Sequence, residues 1–107
     1  MKTIDYHTPL KPLIKFGRIN RFQNRCAVTG ELEWCNAEIE YIPSDKLIDI
    51  VDYRKWFAGV RNQLIEEIAA NLYNEIMSCA RPAFLCVRVY LEGNPNLTDW
   101  SVEIKST

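Results

Sequence analysis

Apolar and polar positions alternate strictly in three stretches of the chain. From Cys35 onward, Cys35, Ala37, Ile39 and Tyr41 fall on one face, and Asn36, Glu38 and Glu40 fall on the other. That is the pattern of a strand with one wet side. Over residues 83–92, Leu85, Val87, Val89 and Leu91 alternate with Arg88, Tyr90 and Glu92; later, Trp100, Val102 and Ile104 alternate with Asp99, Ser101, Glu103 and Lys105. These two runs flank Gly93-Asn94-Pro95-Asn96, a turn-forming cluster, and so predict a hairpin. A weaker strand is predicted over 13–25, where the alternation is broken and Gly17 interrupts it.

Between the strands the period lengthens. Leu47, Ile50, Tyr53, Phe57, Val60 and Leu64 recur at steps of three or four, and Ile65, Ile68, Leu72, Ile76 and Cys79 form a second stripe. Each stripe predicts a helix with one apolar side. Pro43-Ser44-Asp45 reads as the start of the first, with Ser44 or Asp45 capping its free N–H groups. Gly59 and Asn62 fall where the stripes meet, and Pro82 ends the second helix.

The predicted order is strand, strand, helix, helix, strand, strand. This places two helices on one face of a four-stranded antiparallel sheet, an α+β layer architecture (ββααββ). Such a sheet has two long edges, and neither is rich in lysine or proline, so pairing of copies edge to edge into a homo-oligomer is expected.

A length of 107 residues limits the chain to one domain, 1–107, of which 1–11 reads as a polar leader. Hydrophobic residues make up 48% and charged residues 25%, which excludes a disordered tail. No apolar run approaches the length needed to cross a bilayer and Met1 opens no apolar signal region, so a cytoplasmic protein is expected, with no membrane partner.

The formal charge of −1 conceals an asymmetry. Residues 1–25 carry Lys2, Lys11, Lys15, Arg18, Arg21 and Arg25 against Asp5 alone; the remainder holds seven basic and thirteen acidic residues. The plain reading is a basic segment whose charges meet acidic groups of the same fold or of a neighbour; a segment tracking phosphates is the other.

Cys26, Cys35, Cys79 and Cys86 are spaced by 9, 44 and 7 positions, so no C-x-x-C pair exists and no metal site is signalled. Four free thiols are expected. With His7 the sole histidine, any acid or base must mostly be Asp or Glu. Trp34, Trp56 and Trp100 read as core or subunit-contact residues, and Cys35, Cys79 and Cys86 as members of apolar faces.

The densest cluster of unusual residues is Asn24-Arg25-Cys26-Ala27-Val28-Thr29-Gly30-Glu31-Leu32-Glu33. A cysteine followed by Ala-Val-Thr-Gly, an acidic residue seven positions after it, and a strand closing on Tyr41-Ile42-Pro43 resemble the QueF family, the 7-cyano-7-deazaguanine nitrile reductases and their amidine-forming relatives. Val60-Arg61-Asn62 resembles the family's aromatic-Arg-Asn helix end and Glu66-Glu67 its His-Glu-acid segment; the likeness covers about 24–92.

The resemblance implies a tunnelling-fold (T-fold) subunit that assembles into rings with pockets between subunits. It implies that Cys26 attacks the nitrile carbon of 7-cyano-7-deazaguanine (preQ0) to give a thioimide, in queuosine- or archaeosine-type modification. The chemistry suits a thiolate, which is intrinsically nucleophilic, and Arg25 is expected to lower the thiol pKa if its charge faces the sulfur. Glu33 stands where the family has an aspartate that moves a proton to the nitrile nitrogen. Glu66, with Glu67 beside it, would bind the base, because a carboxylate accepts from a ring N–H and an amino group at once. Read without the resemblance, Cys26 is a small buried hydrophobe, and Glu66 and Glu67 are acids of a helix's first turn.

Three departures separate the chain from the reductases. Asp49-Ile50-Val51-Asp52-Tyr53-Arg54 occupies the window of their NADPH-binding motif without its lysines, Ile65 replaces a histidine, and the segment from Arg61 to Glu66 is two residues short. The expected activity is therefore amidine formation with no cofactor. The alternatives are an NADPH-dependent reductase and a non-catalytic 7-deazaguanine binder. The substrate base would be free or carried in tRNA or DNA, with Lys15, Arg18, Arg21 and Arg25 as the candidate nucleic-acid contacts.

Overall fold

The computed structural model describes residues 1–19, 21–92 and 100–106. The elements are β1 (Thr3–Asp5), β2 (Ile14–Phe16), β3 (Phe22–Arg25), β4 (Leu32–Ile42), β5 (Lys46–Ile48), α1 (Ile50–Trp56), a 3-10 turn (Phe57–Gly59), α2 (Ile65–Cys79), β6 (Phe84–Glu92) and β7 (Ser101–Lys105). The main sheet is antiparallel with four strand positions. β4 and β6 are central, β7 pairs β6, and β2 and β3 share the outer side of β4. The weak first strand of the sequence is thus a single edge interrupted after Phe16. Phe16 faces Ile39 and Phe22 faces Cys35, so between these two pairs the edge advances six positions while β4 advances four, a slip of two residues.

Alternation sets the two faces. Cys35, Ala37, Ile39, Tyr41, Leu85, Val87, Val89 and Leu91 are buried against the helices. The α2 stripe of Ile65, Ile68, Leu72 and Ile76 meets them, with Ala69 also buried. Phe16, Tyr41, Tyr53, Phe57 and Phe22 form a run of ring contacts between sheet and α1, with centroids 4.8–5.9 Å apart. Cys86 is buried on the opposite face of its strand, in line with Arg88 and Tyr90, rather than with the core stripe as its apolar character suggests.

That opposite face carries a polar ladder. Arg88 bonds Glu40 and Glu103 at 2.6 Å each, and Tyr90 donates to Glu38. Burial of Glu38 and Glu40 by their neighbours is only partial, so these are surface ion pairs arranged as a network.

Two expectations are corrected. The first helix does not begin at Pro43-Ser44-Asp45. Lys46–Ile48 form β5, which pairs with β1, and the helix is capped by Asp49, whose carboxylate accepts from Val51 N at 2.9 Å and Asp52 N at 3.3 Å. Leu47 and Ile48 satisfy a strand ladder, and the Tyr41 hydroxyl accepts from Ile48 N at 3.0 Å. The polar leader 1–11 accordingly contains a strand. At its other end α2 stops as expected: Ala80 N closes on Ile76 O, and Arg81 takes φ +45°, the left-handed stop, before Pro82. The turn expected at 93–96 lies outside the described residues. Among the described residues no helix is long and apolar enough to cross a membrane.

Candidate active site

The β3–β4 hairpin builds the first wall. Arg25 pairs with Leu32, then Cys26 N donates to Glu31 O and Gly30 N to Cys26 O, both at 2.9 Å. The four residues 27–30 therefore close a tight loop, and it needs Gly30 at φ +74°, where a Cβ is strained. Cys26 sits at the loop's base, half-buried.

This loop is an anion-stabilising turn for the sulfur. The Thr29 backbone N–H, then the Thr29 hydroxyl, then the Val28 N–H hold the Cys26 thiol below its ordinary pKa; burial and the Glu33 charge act in the other direction. Thr29 Oγ1 also accepts from Glu31 N at 3.2 Å, which fixes the hydroxyl. The other three thiols go the opposite way: burial pushes Cys35 up to about 12 and raises Cys79 and Cys86. Of the four cysteines, Cys26 alone is shifted toward the nucleophilic form. The cause is not Arg25, as expected from sequence. Its Nη1 donates to Gly30 O at 2.5 Å and serves to close the loop.

The second wall is the N-terminal turn of α2. A cleft of about 300 Å³ lies between the walls, lined by Cys26, Glu33, Leu64, Ile65, Glu66, Leu91 and Trp100. Leu91 N bonds Trp100 O at 3.1 Å, so the last described rung between the strands brings the indole beside the cleft. Three residues predicted from the sequence, Cys26, Glu33 and Glu66, therefore share one cavity, although 40 positions separate the first from the last. A flat apolar wall with a few convergent polar groups is the usual make-up of a small-molecule site.

Glu66 is exposed and has no hydrogen-bond partner among the described residues, which leaves both of its oxygens for a ligand. Glu67 is not its twin: it does not line the cleft, and its Oε1 accepts from Leu64 N at 2.9 Å, sealing the helix start. Of the two predicted carboxylates, only Glu66 lines the cleft.

One polar residue was not singled out from sequence. Asn24 is 2% exposed, and its carboxamide grips the backbone of Gln63 from both ends: Nδ2 donates to Gln63 O at 2.7 Å, and Gln63 N donates to Oδ1 at 3.2 Å. Nδ2 also reaches Glu33 Oε2 at 3.4 Å. The signal available was an asparagine on the inward side of β3, two positions from buried Phe22. Trp100 was one of three tryptophans weighed, and only the fold selects it.

The basic residues read as nucleic-acid contacts are engaged within the chain. Lys15 faces Glu40 at 3.9 Å, and Arg18 and Arg21 face Glu92 at 3.8 and 3.7 Å. The Arg18 and Arg21 guanidiniums also lie over the rings of Tyr90 and Trp34. The first of the two readings of the charge asymmetry, basic groups meeting acidic groups of the same fold, describes these contacts. Among the described residues no cluster of three or more His, Cys, Asp or Glu could hold a metal ion.

Fold and site together describe a mixed α/β domain that sets a lowered-pKa thiol and two carboxylates around one small cleft. Two comparisons bear on the resemblance to the QueF family, one by sequence and one by fold. The chain is 28% identical over 87 residues to the NADPH-dependent 7-cyano-7-deazaguanine reductase of Thermoanaerobacter pseudethanolicus, a match covering 79% of this chain and 65% of the relative's length. It has the fold of the crystal structure of the archaeosine synthase QueF-Like in the apo form, with a TM-score of 0.68, 20% identity and 94% of each chain covered. No family model matches the chain.

Proposed function

We propose that the chain modifies the nitrile of 7-cyano-7-deazaguanine, free or carried in a nucleic acid, through a Cys26 thioimide, and that it forms an amidine. The observation that carries this reading is the convergence of Cys26, Glu33 and Glu66 on one cleft. In the first step the Cys26 sulfur bonds to the nitrile carbon, one π pair moves to nitrogen, and Glu33 passes the thiol proton to that nitrogen. Ammonia then bonds to the same carbon, the C–S bond breaks, and the thiol returns as the amidine leaves. Glu66 holds the base edge through two charge-assisted hydrogen bonds, and Trp100 supplies a stacking face.

A reductase is the second reading, favoured by the name of the related protein. The residues here do not fit its cofactor. In the window where the resemblance places NADPH contacts, Asp49 spends its carboxylate capping α1 and Asp52 accepts from Lys2 N at 2.5 Å. Two carboxylates in that stretch oppose the phosphates of a dinucleotide, and Ile65 supplies no proton. Assembly belongs to the same proposal: β7 and the β2–β3 side are the two outer positions of the sheet, and a T-fold ring would pair them between copies.

The experiment is a discharge assay. Protein carrying the thioimide is mixed with ammonia or with NADPH, and the released base is weighed. Release of the amidine by ammonia, with NADPH inert, supports the proposal; release of an amine with NADPH alone replaces it with the reductase.

A further inference from the structure

We infer that Asn24 is a positioning residue that fixes the distance between the two walls of the cleft, and so between the reacting sulfur and the bound base. The inference rests on the function proposed above. Asn24 lies on β3 two residues before Cys26, and it pairs across the ladder with Glu33. Its carboxamide holds Gln63, two residues before Ile65 and three before Glu66, by both main-chain groups at once. The same Nδ2 that takes Gln63 O also reaches the Glu33 carboxylate. One side chain therefore ties the nucleophile's strand, the proton-transfer residue and the base-binding turn to each other.

Its partners leave it little freedom. Asn24 is buried and Gln63 half-buried, so each lost hydrogen bond leaves a main-chain group of Gln63 without its partner. The Gln63 side chain is itself held, accepting from Asn71 Nδ2 at 3.0 Å, so the linker is anchored to α2 on one side and to Asn24 on the other. Neighbouring Asn62 takes φ +52°, a left-handed conformation that asparagine tolerates, and turns the chain into this linker. By contrast, the bonds that activate Cys26 come from Val28 and Thr29 and do not involve Asn24. The donors that lower the thiol pKa are thus distinct from the side chain that holds the walls, and Asn24 reaches the sulfur only through the Glu33 charge, the smallest of the influences on it.

That separation supplies the test. In Asn24→Ala, alkylation of Cys26 by iodoacetamide keeps its rate and pH profile, because the loop is untouched. The rate of thioimide formation at saturating 7-cyano-7-deazaguanine falls by about tenfold or more, since a reacting pair displaced by a fraction of an ångström loses its alignment. Amide exchange at Gln63 speeds up by about the same factor. Asn24→Ser, which keeps one hydroxyl, gives intermediate values and serves if the alanine variant does not fold. A saturating rate within about twofold of wild type overturns the inference. So does an alkylation profile that moves in step with the thioimide rate, which would mean that Asn24 acts on the sulfur or on the fold at large. If the wild-type protein forms no thioimide, the proposed function fails, and the exchange at Gln63 alone then decides whether Asn24 holds the walls together.

Discussion

Thr29 holds Cys26 through both its backbone N–H and its hydroxyl, and this pair of contacts is the largest influence on the Cys26 thiol. A lowered thiol pKa means a larger thiolate fraction at neutral pH, so alkylation of Cys26 should rise with pH to a midpoint below the ordinary 9.0. Thr29→Ala removes only the hydroxyl. Its midpoint should move up yet stay below 9.0, because the two backbone N–H donors remain. Rates of iodoacetamide labelling, read by mass from pH 6 to 10, check both statements; identical midpoints in the two proteins would contradict the role given to the hydroxyl.

Glu66 makes no hydrogen bond among the described residues, so its loss should cost binding and not folding. Glu66→Gln keeps the shape and one acceptor but loses the charge and the second acceptor. Titration of 7-cyano-7-deazaguanine should show affinity weakened by about 10- to 100-fold, the worth of the charge-assisted bonds, with an unchanged melting temperature.

The Tyr53 hydroxyl is buried with no hydrogen-bond partner among the described residues, while its ring packs on Phe16 and Phe57. Burial also raises its pKa, so it stays neutral throughout the working range. Tyr53→Phe keeps every ring contact and removes the stranded group. Stability in urea should rise by about 1 kcal/mol; a loss of similar size would show that the hydroxyl has a partner in solution.

Arg88 depresses the pKa values of both Glu40 and Glu103. A carboxylate depressed in the folded state contributes stability above its unfolded pKa and loses it as pH falls through the folded value. Arg88→Met should therefore lower the melting temperature at pH 7, and the gap from wild type should close below about pH 4.5, where the carboxylates of the unfolded chain gain protons. A gap that persists unchanged at pH 3 would assign the effect to packing.

The elements that sequence revealed are those whose periodicity answers to one buried face. β4 and β6 alternate over long runs against a helix layer, and α2 carries an unbroken stripe, so each could be read locally. β1 and β5 are three residues long and exist because each completes the other across more than 40 positions; no local pattern encodes that. Leu47 keeps helical spacing with Ile50 and the residues after it, so periodicity alone draws Lys46–Ile48 into the helix and points to Ser44 or Asp45 as the cap instead of Asp49. Gly17 announced the break in the edge strand but not the two-residue slip, which depends on the partner strand.

The candidate site divides in the same way. Cys26 and Glu33 were legible from the Cys-Ala-Val-Thr-Gly run with an acid seven positions after the cysteine, and Glu66 from the likeness of Glu66-Glu67 to a His-Glu-acid segment, although Glu33 differs in type and the Arg61–Glu66 spacing is short. Asn24, Leu91 and Trp100 were not, since their place in the cleft follows from tertiary contacts among β3, the segment before α2, and the β6–β7 pair. The electrostatics were less legible still. Arg25 looked like the activator of Cys26, but side-chain direction gave that role to the loop's own N–H groups and to Thr29.

The most direct measurement is the intact mass of the protein after incubation with 7-cyano-7-deazaguanine. The account predicts that wild-type protein gains the mass of one base per chain, that the gain maps to the peptide bearing Cys26, and that Cys26→Ala gains nothing. An unmodified wild-type mass at saturating base, or an equal gain on Cys26→Ala, would contradict it.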